Sequence, residues 1–185
     1  ICPSRGLGDV YKRQGVFTSE IQFPPENDAY FGETVLEWFT KGGFDKLYVV
    51  DGVISNDLGI KEDSDLWGVS SNPLGREALD SAGIQRIQNG IVSGITGYLI
   101  AEGERRGLEI TALLAECNPM YPDARAALIA IDGLSDLMDM EIPVQELLED
   151  AKEIEQKVRE AFERAQSTAL PAPGPDDEDD VPMMV

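Results

Sequence analysis

The chain has 185 residues, of which 42% are hydrophobic, and a formal net charge of −20 at pH 7. This length can bury a sizeable core. Its longest apolar run, Ile91–Ile100, is interrupted by Gly94 and Gly97 and is far shorter than the roughly 20 residues that span a bilayer. The excess of acid and the dispersed 15 basic residues disfavour binding to nucleic acid or to an anionic membrane. We therefore expect a soluble, cytoplasmic protein.

The composition also limits the kinds of catalytic and metal-binding sites that the chain could form. There is no histidine, and no nucleophile lies beside a base in the sequence. Two cysteines, Cys2 and Cys117, are too few for a disulfide framework, which fits a reducing compartment. Asp51, Asp57, Asp63 and Asp65 lack the spacing of a calcium loop and are typical of a solvated acidic loop. The sequence therefore predicts no catalytic residue, no metal and no cofactor.

The first residues, Ile1–Gln14, are predicted to be a non-native leader. They show no helical or strand period and lack the apolar region and cleavage site of a signal peptide. Their ending, DVYKRQ, is similar to translated linker sequence, and an ordinary disordered leader is the alternative. If the leader is foreign, the domain predicted over residues 15–142 lacks its own N-terminal part.

That domain alternates strand and helix patterns. Gly15–Phe23 alternates polar with mostly apolar residues, and Lys46–Asp51 is a short apolar run, so both are predicted strands, the second one buried. Between them, Asn27 or Asp28 caps a helix that Gly42-Gly43 ends. The remaining predicted elements are a polar loop over Gly52–Asp65, a strand over Leu66–Ser71, a helix over Leu74–Ala82 ended by Gly83, a helix over Gly94–Arg106 ended by Gly107, a buried strand over Glu109–Cys117 and a helix over Asp123–Met138 capped by Asp123. This order predicts a three-layer α/β/α domain with a largely parallel or mixed sheet.

Pro143 begins the longest predicted helix, residues 143–166. Its apolar residues recur at alternating spacings of three and four as a heptad seam, formed by Val144, Leu147, Ala151, Ile154, Val158, Ala161 and Ala165. A seam this narrow favours contact between protomers, because a helix that covers a sheet usually has a wider apolar stripe. The predicted homo-oligomer interface is Val144, Leu147, Ala151, Ile154 and Val158; packing of the helix on its own domain is the alternative.

The last segment, residues 167–185, is predicted to be a disordered acidic tail. Its proline and the acid run Asp176–Asp180 cannot bury a core. It ends in a short apolar group, Met183, Met184 and Val185.

Two loops could hold a small ligand. Gly90, Ser93, Gly94 and Gly97 could cradle an anion with backbone amides at a helix N-terminus, although glycines also let a helix pack closely on a sheet. A second group follows a strand, where open α/β sheets bind ligands, and consists of Glu116, Asn118, Asp123 and Arg125. Such a group can equally fix a loop and the start of a helix.

Five segments between Ile21 and Ala165 resemble the proteasome assembly chaperone two family in its archaeal form. They are Ile21–Pro25, similar to its QPP-type strand end; Tyr48–Gly52, a strand closing on glycine; Trp67–Pro73, similar to YGVATNP; Gly90–Gly97, similar to GxISGLTG; and Leu113–Asp123, similar to LLGETPGYxPD and followed by Ala126-Ala127. Cys117-Asn118 replace the usual threonine, and the family's first strand, glycine loop and helix are absent.

The resemblance implies a domain laid out like nucleoside phosphorylases but without established catalysis. It implies homo-oligomers that assemble or engage the α-ring of the 20S proteasome, with a nucleoside-, nucleotide- or phosphate-binding enzyme as the alternative. Relatives can carry a C-terminal motif of a hydrophobic residue, tyrosine and any residue that enters pockets between α-subunits. Here Met184 stands where that tyrosine would be, so the phenol and its hydrogen bond are missing.

Overall fold

The computed structural model describes residues 14–19, 24–54, 65–117 and 123–144, and positions 149, 153, 156–158, 160–161 and 164. A 3₁₀ turn at Pro25–Asn27 precedes the first helix. The elements that follow are α1 (Asp28–Gly42), β1 (Lys46–Ile54), β2 (Leu66–Ser70), α2 (Pro73–Ser81), β3 (Gln85–Arg86), α3 (Gly94–Arg106), β4 (Glu109–Cys117) and α4 (Ala124–Met138). None of the helices in the described ranges combines the length and apolarity that crossing a bilayer requires.

The helix ends predicted at Gly43, Gly107 and Asp123 are confirmed, because local chemistry sets them. The predicted cap of α1 is not confirmed: Asn27 precedes the helix without a side-chain capping hydrogen bond, and Asp28 is its first residue. Gly43 and Gly107 follow α1 and α3 with φ of 66° and 69°, a left-handed conformation that glycine adopts without steric cost. Asp123 caps α4 by accepting hydrogen bonds from the backbone amides of Arg125 and Ala126.

Two strand predictions need correction. Gly15–Ser19 forms no strand; Phe17 instead contacts Trp38 at a ring-centroid distance of 6.4 Å, so side-chain contacts with α1 replace a ladder. Residues 20–23 lie outside the described ranges. β1 continues to Ile54, three residues beyond its predicted end and into the predicted loop, because each of its residues pairs with one of β4. It is also not buried as expected: as an edge strand it leaves Val50 51% exposed.

The four strands form one mixed sheet in the order β1-β4-β2-β3. β1 runs parallel to β4, with Lys46 opposite Glu109 and Ile54 opposite Cys117. β2 runs antiparallel to β4, and the short β3 runs parallel to β2. β4 is therefore an inner strand, with β1 on one side and β2 on the other, and its middle is buried on both faces.

Helices cover both faces of the sheet, which confirms the three-layer α/β/α prediction. On one face, Leu36 of α1 and Leu99 of α3 pack with Ile110 of β4. On the other, Leu113 of β4 packs with Leu79 of α2 and with the C-terminal half of α4. Alternate residues of β4 thus enter two separate apolar layers, as the two-residue period of a strand requires.

The structure describes only parts of the predicted helix 143–166. Positions 149, 153, 156–158, 160–161 and 164 are helical and exposed. Residues 1–13 and 165–185 lie outside the described ranges, so the leader and tail predictions stay predictions.

Candidate functional site

The predicted ligand loops meet at the carboxyl end of the parallel pair β1 and β4. α3 begins there, and its Thr96 hydroxyl donates a 2.6 Å hydrogen bond to Oδ2 of Asp51 in β1. The other carboxylate oxygen of Asp51 accepts from the amide of Gly52 at 2.8 Å. Both oxygens of this carboxylate are thus engaged by the chain itself, and the start of α3 is fastened to the sheet.

The glycines before and within α3 bring the loop and the helix into close contact. Gly94 has φ of 71°, which turns the chain into the helix. At Gly97 a side chain would overlap the carbonyl oxygen of Val92, so only glycine allows this approach. The Gly97 amide donates to the carbonyl of Ser93 at 3.2 Å and is therefore not turned toward an anion. The exposed Gly90 has ordinary clearance, since a methyl group added there would lie 3.4 Å from the nearest atom, on the Ile87 side chain.

The second predicted group lies at the end of β4 and the start of α4. Asp123 is almost fully buried, and its Oδ2 lies 3.4 Å from Nη2 of Arg125. Glu116 is also buried, with 8% of its surface exposed, and its amide donates to the carbonyl of Asp65 at 2.8 Å. These contacts hold the end of β4 and the start of α4 in place, which is the structural role that the sequence analysis gave as the alternative to ligand binding. Asn118 lies outside the described residues.

The electrostatics of this end are acidic. Burial raises the pKa of the Cys117 thiol. Three carboxylates around it raise the pKa further, namely those of Asp123, Asp51 and Glu116. A thiol held in its protonated form is a poor nucleophile, and a surrounding of carboxylates repels phosphate.

Among the described residues, no three side chains of histidine, cysteine, aspartate or glutamate are grouped so that they could hold a metal ion. Asp51 and Asp65 of the acidic loop are described, whereas Asp57 and Asp63 fall outside the described ranges. The polar contacts of the described residues at this end include Thr96 with Asp51, the cap of α4 by Asp123 and the pair of Asp123 with Arg125.

Sequence reasoning missed two contacts that join distant segments. The sequence analysis grouped Asp51 with a solvated acidic loop, yet its carboxylate accepts a hydrogen bond from Thr96. The position of Asp51, a polar residue near the end of a strand, could have indicated such a contact. Arg106 of α3 forms a salt bridge with Glu33 of α1, which also accepts a hydrogen bond from the Tyr98 hydroxyl at 3.3 Å. Both contacts depend on which elements are neighbours in space, which spacing along the chain does not encode.

The predicted interface residues are only partly described. Val144 is 9% exposed and is thus covered within its own chain, whereas Val158 is 37% exposed. The rest of the predicted interface and the tail residues lie outside the described ranges: Leu147, Ala151, Ile154, Met183, Met184 and Val185. Their assignment as an interface and as a partner-binding tail stays a prediction.

Solved structures with this fold include PbaA of Pyrococcus furiosus, an archaeal homolog of proteasome-assembly chaperone. It is 25% identical and superimposes with a TM-score of 0.68 over 80% of this chain and 62% of its own. PbaB of the same organism, an archaeal proteasome activator, has 21% identity and a TM-score of 0.64 over 77% of this chain and 62% of its own. This chain thus spans less than two thirds of either structure.

An uncharacterized protein of Methanocaldococcus jannaschii is 28% identical over 75 residues, which are 40% of this chain and 32% of that protein. The resemblance seen in the sequence motifs is confirmed by a family model. The model of the PAC2 family matches residues 12–161. The chain therefore belongs to the PAC2 family.

Proposed function

We propose that this chain is part of a non-enzymatic proteasome assembly chaperone that engages α-subunits of the 20S proteasome. The observation that carries the proposal is the shared fold with PbaA, an archaeal homolog of proteasome-assembly chaperone. PbaB, described as a proteasome activator, has the same fold. Both relatives thus connect this fold with the proteasome.

The carboxyl end of the sheet supports a binding role over a catalytic one. Its polar side chains serve the chain's own structure: Asp51 fastens α3 and Asp123 caps α4. Burial and nearby carboxylates raise the pKa of the Cys117 thiol there, which lowers its reactivity as a nucleophile. Arg125, the cation of the predicted group, lies 3.4 Å from the Asp123 carboxylate, which weakens the attraction of its charge for a phosphate.

We place partner binding on the C-terminal tail, in line with the sequence prediction. The acid run Asp176–Asp180 would hold Met183–Val185 away from the domain by charge repulsion and solvation. Met183 and its neighbours would then reach a pocket between α-subunits. Met184 offers no phenol to that pocket, so we expect weak binding.

The test is a pull-down with purified proteasome α-subunits and the full chain as bait. Retention of α-subunits, but not of an unrelated protein of equal charge, is the expected result. A thermal-shift screen with nucleosides, nucleotides and phosphate addresses the enzyme alternative. A ligand that binds one site of the folded protein, at 100 times its dissociation constant, would raise the free energy of unfolding by about 2.7 kcal/mol. A clear shift in that screen together with no retained α-subunit would overturn the proposal.

A further inference from the structure

The loop between β3 and α3 contains an asparagine that is followed directly by glycine, Asn89-Gly90. Asparagine is a thermolabile residue, because a backbone nitrogen can displace its side-chain amide. The reaction needs the nitrogen of the next residue to approach the side-chain carbonyl carbon. Glycine favours this approach, since it has no side chain to shield its nitrogen and its φ and ψ are little restricted.

The surroundings of this pair are open to water. Gln88, Asn89, Gly90 and Ile91 are all exposed, and Ile91 has 96% of its surface exposed. A methyl group added to Gly90 would lie 3.4 Å from its nearest contact, so the pair also has room to change conformation. Water and base can therefore reach both residues in the folded chain.

The backbone is anchored on either side of the pair but not at the pair itself. The Ile87 amide donates to the carbonyl of Gly68 at 3.0 Å, and the Gly97 amide donates to the carbonyl of Ser93 at 3.2 Å. Between these two anchors, the Gly90 amide has no hydrogen-bond acceptor among the described residues. Its nitrogen can therefore turn toward the Asn89 side chain without breaking a hydrogen bond within the described part of the chain.

Other asparagines of the chain are blocked at this step. Asn72 precedes Pro73, whose nitrogen carries no hydrogen to lose. Asn27 precedes Asp28, whose amide already donates to the carbonyl of Pro25. Asn56 lies outside the described residues. Among the asparagines that the structure describes, Asn89 is thus the one with an accessible and unengaged nitrogen beside it.

Two aspartates are also followed by glycine, and both pairs lie in regular structure. Gly52 is part of β1, and its amide donates to Oδ1 of Asp51 at 2.8 Å. Asp132 precedes Gly133, which is buried within α4. A carboxylate is also a poorer electrophile than an amide. These pairs therefore serve as internal comparisons for Asn89-Gly90.

We propose that Asn89 is a site of deamidation in the folded chain. The Gly90 nitrogen forms a bond to Cγ of Asn89, and its proton passes through solvent to the side-chain nitrogen. The Cγ–Nδ2 bond breaks, ammonia leaves and a five-membered succinimide remains. Water then opens the ring at either carbonyl, which gives aspartate or isoaspartate. The net reaction consumes one water and releases one ammonia, and no atom is oxidised or reduced.

Both products change the loop that leads into α3. Each adds a negative charge, and isoaspartate also routes the backbone through Cγ, which lengthens the chain by one carbon. The carbonyl oxygen of Val92 lies so close to Gly97 that a side chain there would overlap it. We expect isoaspartate to disturb this contact more than aspartate does. The inference does not depend on the proteasome role, because it rests on Asn89, Gly90 and their loop alone.

Peptide mapping of the full folded chain tests the proposal. The chain is incubated at mildly alkaline pH and compared with a sample digested at once. Trypsin should then release Ile87–Arg105, in which Asn89 is the only asparagine, with its mass raised by one unit. Fragmentation should locate the change at residue 89, and chromatography should separate the aspartyl and isoaspartyl forms. The peptides that contain Asn27 and Asn72 should keep their masses.

Gly90→Ala is the matched variant, because its methyl group has ordinary clearance and shields the nitrogen. This variant should lose most of the modified peptide while its circular dichroism spectrum stays that of the parent chain. An equal yield of modified peptide from both chains would overturn the proposal. So would an unmodified Ile87–Arg105 in the folded parent chain. In that case, modification of the same chain in urea would show that the fold protects the pair.

Discussion

Asp123 is a single residue that secures the start of α4. Its buried carboxylate accepts hydrogen bonds from the amides of Arg125 and Ala126, at 3.1 and 3.2 Å. The unsatisfied amides of a first helical turn need such an acceptor. Asp123, which the sequence analysis placed in a possible ligand-binding group, thus has a structural role as a helix cap.

We predict that Asp123→Ala lowers the free energy of unfolding by about 0.5–2 kcal/mol, the usual contribution of an N-cap. Asp123→Asn is the matched control, because asparagine caps helices about as well as aspartate. Urea unfolding followed by circular dichroism measures both. An alanine variant as stable as the parent would show that Asp123 does not act as a cap.

Gly97 permits the close contact between α3 and the loop before it. A methyl group there would overlap the Val92 carbonyl oxygen, which is backbone and cannot rotate away. We predict that Gly97→Ala destabilises the fold by about 1–2 kcal/mol, since overpacking outweighs the roughly 1 kcal/mol that alanine gains in a helix.

The control for this substitution is Gly90→Ala in the same loop. A methyl group at Gly90 has ordinary clearance, with its nearest contact 3.4 Å away on Ile87. Its melting temperature should stay near that of the parent chain, whereas that of Gly97→Ala should fall. A similar fall for both variants would contradict the packing role of Gly97.

At the scale of elements, a network of ion pairs joins α1 and α3, which pack on the same face of the sheet. Arg106 of α3 binds Glu33 of α1 and, 2.7 Å away, Glu102 of its own helix. The pKa of Glu102 is lowered to about 2, first by hydrogen bonds from Arg105 and then by those from Arg106. The pKa of Glu33 is lowered as well, mainly by its hydrogen bond from Arg106.

These shifts fix the direction of a pH effect. A carboxyl whose pKa is lowered in the folded state stabilises that state above its ordinary pKa of 4.5. This stabilisation is lost as the pH falls through the folded-state value of about 2. We predict that Arg106→Gln lowers the melting temperature at pH 7 and that its difference from the parent chain shrinks between pH 4.5 and pH 2.

The matched control is Arg105→Gln. Arg105 is exposed and pairs with Glu102 inside α3, so it does not connect two elements. Its loss should lower the melting temperature less than the loss of Arg106 does. High salt should reduce both effects, because exposed ion pairs are screened. Equal effects of the two substitutions at every pH would contradict a linking role for Arg106.

For the whole molecule, the proposed partner contact lies on the tail. We predict that deletion of Met183–Val185 weakens binding to α-rings without changing the melting temperature. Met184→Tyr should strengthen binding, because it adds an aromatic anchor with a polar tip. Both variants and the parent chain can be compared in one titration against purified α-rings. Equal affinities would place any binding on the globular domain and leave the tail without a role in it.

Sequence alone located the helices α1 to α4 and the strands β2 and β4, but it missed the short β3 and the last three residues of β1. Helix ends are set locally: Gly43 and Gly107 adopt left-handed φ, and Oδ1 of Asp123 accepts hydrogen bonds from the amides two and three residues away. The apolar residues on both faces of β4 also predicted a buried strand, because a strand covered on both faces carries apolar residues on each. The family was recognisable from the sequence because its motifs are short, continuous segments of the chain.

Tertiary structure decided which elements are neighbours. The antiparallel direction of β2, the pairing of all nine residues of β1 with β4 and the Thr96–Asp51 contact depend on strand order. So does the exposure of β1, which the sequence predicted as buried because its residues are apolar. The spacing of apolar residues predicts which face of a segment can be buried. Whether a helix actually packs on that face depends on residues far away in the chain.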